Sequence, residues 1–303
     1  MRAQVLAAGA LALAGAIAAS ALAQPSSPEC HATLPAPSPD GAFIAYVRDT
    51  ADDTSQVRVA GVDGGGDRLV IRVAGEEGAP AWTDRGTRLS FATDSAGLVT
   101  LWSVSLAGDD ARVLARENAM SLRLSHDGRR LARSLGSWQR SKVVVSELGG
   151  GHARTLTDST AAWFNLAWSP DDRWIAATRL DTTHAAQVWL IEVASGRTRA
   201  LTSFGAGDGA PQWPAWSPDG RRIALQAGRY DRAEPQKSEA DIWLIDVASG
   251  RPTRITTRER PWLDEAPSWL ADGRHLAIQS TRTGRFEVWV IADDGRSARQ
   301  VTR

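Results

Sequence analysis

Lysine is nearly missing from this chain. Lys142 and Lys237 are the only two, so almost all of the 35 basic residues are arginine, and 35 acidic residues balance them. A formal net charge of zero gives no electrostatic ground for nucleic acid or an anionic surface as a partner. Cysteine is limited to Cys30, which excludes an internal disulfide and a fold that depends on oxidation. After residues 5–19 no run is long and apolar enough to cross a bilayer, so no membrane insertion is expected. There is no G-x-S-x-G, which removes the nucleophile-elbow serine chemistry of α/β-hydrolases. The five histidines, His31, His126, His152, His184 and His275, contain no pair at metal-ligand spacing.

What the chain has is a repeat. Ser38-Pro39-Asp40-Gly41, Ser169-Pro170-Asp171-Asp172 and Ser217-Pro218-Asp219-Gly220 are its clear copies. Thr83-Asp84-Arg85-Gly86, Ser125-His126-Asp127-Gly128 and Leu270-Ala271-Asp272-Gly273 are looser ones. The last positions fall at 41, 86, 128, 172, 220 and 273, a spacing typical of propeller blades. Pro presets φ in a tight turn, Asp bonds its own backbone, and Gly takes the left-handed conformation that returns the chain as an antiparallel strand. Asp172 stands in for Gly in the fourth copy at modest cost. A second strand follows each turn, a third reads like Asp241-Ile242-Trp243-Leu244-Ile245, and a fourth ends in pairs such as Leu201-Thr202 and Val301-Thr302. The expected fold is therefore all-β: a six-bladed β-propeller with four antiparallel strands per blade, over residues 33–303.

Residues 1–23 read as a cleaved secretory signal: Arg2, an Ala/Leu-rich stretch, and the small-x-small site Ala21-Leu22-Ala23. Residues 24–32 are then a short N-terminal segment.

The Trp216-Ser217-Pro218-Asp219-Gly220 turn, the Asp-Ile-Trp-Leu-Ile strand and the closing Leu-Thr resemble the repeats of TolB-like six-bladed propellers. The resemblance covers residues 33–303. It implies a bacterial periplasmic protein that docks envelope proteins on its propeller. It also implies a propeller alone, because the α/β domain that precedes the TolB propeller has no counterpart here. Similar repeats form the gating propellers of prolyl-oligopeptidase-type peptidases, whose hydrolase domain is likewise not represented.

Candidate sites lie at the axis and in the variable loops. His31, Glu77, Asn118, Asn165, Asp208, Asp264 and Glu265 are expected near the channel mouth. They could form a solvated polar rim, or supply oxygen ligands for a Ca²⁺-type cation. The second reading would make the chain a metal-dependent, lactonase-like hydrolase. Of the 13 tryptophans, eight occupy repeat positions that call for inter-blade packing. Trp138, Trp163, Trp213 and Trp262 lie in or beside longer connections, which emerge on the face opposite the repeat turns. Either they tuck under their loops, or with Tyr230, Asp264 and Glu265 they form a binding face at blades four to six. Aromatic anchors with a charged rim suit an envelope protein or peptide. The reading taken forward is a monomeric, non-catalytic scaffold whose binding residues are Trp163, Trp213, Tyr230, Trp262, Asp264 and Glu265, with no cofactor required.

Export makes a direct prediction. N-terminal sequencing of the protein recovered from its native envelope should begin at Gln24, and an intact Met1 would refute cleavage.

Overall fold

A computed structural model of the chain describes residues 31–303 apart from 51–53, 75, 96–97, 206, 231–237 and 257–261. Six antiparallel sheets follow one another along the chain, and the strands of each sheet pair in chain order. Blade one comprises Ala32–Pro37, Phe43–Asp49, Thr54–Gly61 and Arg68–Ala74. Blade six comprises Asp264–Trp269, His275–Ser280, Glu287–Ala292 and Ala298–Gln300. The innermost strands of blades three to five are Ser121–Leu124, Ala162–Trp168 and Ala210–Trp216. In blade two the innermost strand is split into Glu76–Glu77 and Ala81–Thr83, both paired with Arg88–Ser95. The first strand begins at Ala32, one residue ahead of the boundary read from the repeat.

The repeat turn works as expected, with one addition. Gly41, Gly128, Gly220 and Gly273 all have positive φ, and Asp172 adopts φ 53° in their place. The serine that opens the motif does as much as the Asp. Ser217 Oγ donates to Asp219 Oδ1 at 2.6 Å and accepts the Arg222 N–H at 2.9 Å, closing the turn from inside. Ser38, Ser125 and Ser169 repeat both bonds. The Ser217 hydroxyl, then the Arg221 N–H, hold the Asp219 carboxyl below its usual pKa. In blade two, Asp84 and Arg85 are themselves left-handed and the turn becomes a short 3-10 helix.

The closing Leu-Thr also has a mechanical role. Thr157, Thr202, Thr256 and Thr302 each accept a backbone N–H of the third strand at 2.9 Å, pinning the end of the blade to its own interior.

The core lies between blades. Val188 and Leu190 of blade four pack with Ile223 and Leu225 of blade five, and Ile242 and Leu244 with Leu276 and Ile278 of blade six. A tryptophan clasp recurs at these interfaces. The indole N–H groups of Trp82, Trp168, Trp216 and Trp269 donate to the carbonyls of Ala36, Arg123, Ala167 and Ala215, each on another blade. Blades three and four are joined again by Asp172, whose carboxylate accepts the N–H groups of His126 and Asp127 and lies 2.9 Å from His126 Nδ1.

Among the described residues the ring closes without exchanging a strand. Ala32 N–H donates to the Phe286 carbonyl at 2.9 Å, and Arg299 Nη1 donates to Val62 O at 2.6 Å. Beneath them Ile44, Tyr46 and Ala60 share a core with Ala277, Val288 and Val301.

In five of the six blades a glycine of the hairpin turn between the third and fourth strands lies against the outer edge of the neighbouring blade. At Gly295, with φ 72°, a Cβ would lie 1.9 Å from the Ile255 carbonyl oxygen. At Gly128, also with φ 72°, it would meet nothing within 4 Å. Gly295→Ala should therefore lower unfolding free energy by about 2–5 kcal/mol, combining left-handed strain with overpacking. Gly128→Ala should cost only the strain, about 1–2 kcal/mol. Urea denaturation of the two variants checks the ordering.

Candidate functional site

Four innermost strands are irregular at one shared register. Leu34, Asn165, Trp213 and Ala266 each stand four residues before their repeat turn, and all have φ between 47° and 53°. The pairing with the second strand shifts at each of them, the signature of a β-bulge. Two of these bulges are held by glutamines from the neighbouring blade. Leu34 N–H donates to Gln279 Oε1 at 2.9 Å, and Ala266 N–H to Gln226 Oε1 at 2.8 Å.

Those glutamines belong to a buried polar network between blades five and six. Glu265, 1% exposed, accepts the Tyr230 hydroxyl at 2.6 Å and the Gln279 amide at 2.9 Å. Gln226 Nε2 lies 2.9 Å from the same hydroxyl. Burial, then the Glu265 charge, push the Tyr230 phenol well above its usual pKa. Beside this network, Asp264 accepts Ser280 Oγ at 2.6 Å and pairs with Arg282 at 2.7 Å. The Arg282 guanidinium stacks over both Trp262 and Trp289, with centroid distances of 5.5 and 5.6 Å.

The residues expected to bind thus separate into three groups. Tyr230 and Trp262 are half-buried at the loop end of blades five and six, and Glu265 and Asp264 position them through hydrogen bonds and Arg282 rather than facing solvent. Trp213 is half-buried in the channel wall. Trp163 does not face outward: it is 3% exposed, edge-on to Trp189 at 6.2 Å and covered by Arg179. It is a core residue because it precedes the bulge in a strand flanked by two blades. Trp138 tucks edge-on against Phe164 at 5.6 Å.

The expected polar rim is dispersed. His31 is buried at the ring seam against Phe286, while Asn118 and Asp208 are exposed, with Asp208 capping Gly205 N–H at 3.0 Å. Asn165 is on the axis. The Glu77 side chain, like Asp231, Glu234, Lys237 and Arg260, lies outside the described residues. Among the described residues no three His, Cys, Asp or Glu side chains come together as a cation site. His126, His152 and His275 each pair with a single carboxylate, Asp172, Glu147 and Asp272.

The innermost strands of all six blades enclose a cavity of about 510 Å³. It runs from the bulged residues to the repeat turns, reaching Pro39, His126, Pro170 and Pro218. Its wall is largely proline, alanine and tryptophan. Pro35, Pro80, Pro214 and Pro267 share one register, possible because an innermost strand has a ladder on one side only and need not donate toward the axis. One position later the wall is Ala36, Ala81, Ala167, Ala215 and Ser268, but blade three places Arg123 there. The sequence reading passed over Arg123 and the bulges. Superposing the six repeats on their turns would have exposed an arginine in an alanine register.

Only two tyrosines exist, so titration at alkaline pH is unambiguous. Burial, then the hydrogen bond to Asp67, raise Tyr46 to about 12 from 10.0, and Tyr230 is also raised. The native protein should show no phenolate absorbance near pH 10. The unfolded chain releases these protons first, so stability is full below pH 10 and falls as pH rises toward 12. Phenolate appearing at pH 10 before any loss of structure would contradict this.

Several known proteins share the architecture. TolB from Acinetobacter baumannii superposes with a TM-score of 0.69 at 19% identity, over 85% of this chain and 63% of that one. A putative TolB from Agrobacterium tumefaciens gives 0.61 at 23% identity, over 78% and 83%. In sequence, dipeptidyl-peptidase 5 of Porphyromonas gingivalis is 22% identical over 88% of this chain, and the uncharacterized protein Atu1656 of Agrobacterium fabrum is 28% identical over 44%. The chain spans 47% and 41% of those two relatives' lengths. Residues 131–303, more than half of the chain, match the family described as the TolB beta propeller domain. By that match and by its six four-stranded blades, the chain belongs to the TolB β-propeller family.

Proposed function

We propose that this protein is an exported, non-catalytic binding module of the cell envelope, which receives a segment of a protein or peptide in its central channel. The observation that carries this reading is the channel itself. Its volume of about 510 Å³ falls in the roughly 300–1,000 Å³ range of ligand pockets, and its wall is mostly apolar with few polar groups. The wall is also rigid. Prolines fix its backbone and Gln226 and Gln279 brace two of its bulges, so little conformational freedom remains to be lost on binding. Because prolines interrupt the free edges of the innermost strands, a guest would be recognised by side chains rather than by adding a strand. Trp213 is the aromatic anchor of this channel, and Tyr230 and Trp262 flank the loop end of blades five and six. The leader-like composition of residues 1–23 supports an envelope location.

Crosslinking of tagged protein in its native envelope, followed by affinity measurement with the captured partner, tests this reading. Trp213→Ala should weaken capture by about 1–3 kcal/mol while leaving the fold intact. Trp163→Ala should instead lower stability by about 3–5 kcal/mol, as expected for a buried aromatic side chain. Unchanged capture by Trp213→Ala would remove the channel as the site.

A further inference from the structure

Arg123 is the anomaly of the channel. Its backbone is regular, with its carbonyl accepting the Trp168 indole like the corresponding carbonyls of Ala36, Ala167 and Ala215. Its side chain is not. Five blades place Ala or Ser at this register, and among the described residues only blade three extends a long charged group into the channel.

Among the described residues no carboxylate pairs with this guanidinium. Its one hydrogen bond runs from Nη1 to the carbonyl of Leu122, at 3.1 Å. Three other arginines packed within blades behave differently: Arg133 pairs with Glu117, Arg254 with Asp241 and Arg282 with Asp264. The described lining of the cavity contains no Asp or Glu. Asn165, in the wall of the next blade, adds a second unanswered donor, since its Nδ2 is buried with no partner. Burial pushes the Arg123 pKa down, yet an arginine stays protonated at any physiological pH. A part-buried cation with no described anion beside it has lost some of its hydration without compensation, and a ligand can supply the missing charge. Two hydrogen-bond donors in a channel whose described lining is mostly apolar and holds no acid point to what would answer them: an acceptor carrying negative charge.

We infer that the channel selects peptide segments bearing a carboxylate, with the Arg123 guanidinium as its counter-ion and the Asn165 amide as a further donor. This deepens the binding reading above and rests on it. The guanidinium offers paired donors in the fork geometry that fits a carboxylate, while the proline, alanine and tryptophan wall accepts the apolar remainder of the segment. A chain's own C-terminus and a glutamate or aspartate side chain present the same chemistry.

The test uses the full exported chain and three fluorescein-labelled pools of short peptides randomised over Ala, Leu, Pro and Ser. One pool ends in a free carboxylate, one is amidated, and one is amidated but carries an internal Glu. Fluorescence polarisation should show at least one acid-bearing pool binding the wild type about tenfold or more tighter than the neutral pool. The better of the two identifies the source of the carboxylate. Arg123→Gln should reduce the acid-bearing pool to the level of the neutral one, and Arg123→Lys, which keeps the charge but not the fork, should fall between. Without peptide, Arg123→Gln should melt at the wild-type temperature or above it, because a part-buried charge with no described partner has been removed. A lower melting temperature would mean that the chain itself neutralises Arg123, and would overturn the inference. So would equal binding by Arg123→Gln and wild type, no preference for acid-bearing peptides, or displacement by acetate as effective as by peptide. If no pool binds while capture of the envelope partner remains sensitive to Trp213→Ala, this inference fails and the binding reading stands. If that sensitivity is lost as well, both fail.

Discussion

A four-stranded blade whose middle strands are apolar on both faces must be covered on both sides. Residues such as Ile175, Ala176 and Ala177 are successive and all buried, so neither face of the sheet can be left to water. Only a neighbour on each side satisfies that demand, and the sixth blade finds its second neighbour in the first. The devices that recur at the interfaces serve this single requirement. The tryptophan clasp fixes how deeply one blade enters the next, and the glycine of the outer hairpin lets one sheet rest on its neighbour's backbone. Where the clasp is missing, other groups take over. Blade one carries Pro37 instead of the tryptophan, and its junction with blade six is held by Ala32, Gln279 and Arg299.

Closure also shapes the axis. Six strands converge there, and side chains at the narrowest register must be small, which accounts for the run of alanines. The bulges relieve the same crowding by turning one residue per strand out of the regular pleat. Positive φ at residues with side chains is expensive, and here it occurs at the same place in four blades. Gln226 and Gln279 stabilise two of these positions by hydrogen bonding the backbone N–H that the bulge releases. The buried Glu265 in turn orients Gln279, so the axis is organised from one blade to the next.

Much of the fold was legible in the sequence because turns are chemically explicit. Ser-Pro-Asp-Gly names its own backbone geometry, and six copies count the blades. Even the substitution at Asp172 was readable as a left-handed residue, though its carboxylate bridging to the His126 turn was not, since that contact depends on where the neighbouring turn lies. The site was far less legible. Trp163 and Trp213 sit in similar contexts, each near the start of a blade. One is core and the other lines the channel, because Trp213 is itself the bulged residue while Trp163 stands two residues before the bulge at Asn165, in the regular part of its strand. No glycine or proline marks that bulge in Phe164-Asn165-Leu166. Arg123 carried a signal, but only as a departure from the other repeats.

Blades built from consecutive strands have a kinetic consequence. Nearly every pairing joins residues within one hairpin, and the clasps link blades about one repeat apart, so each blade needs only chain already present beside it. The junction of Ala32 with Phe286, and of Leu34 with Gln279, is different: it spans almost the entire length. Loop-closure entropy makes such a contact late in folding. During synthesis the first blade would therefore wait, one flank uncovered, until the last had been made. The first blade to emerge is the last to be finished.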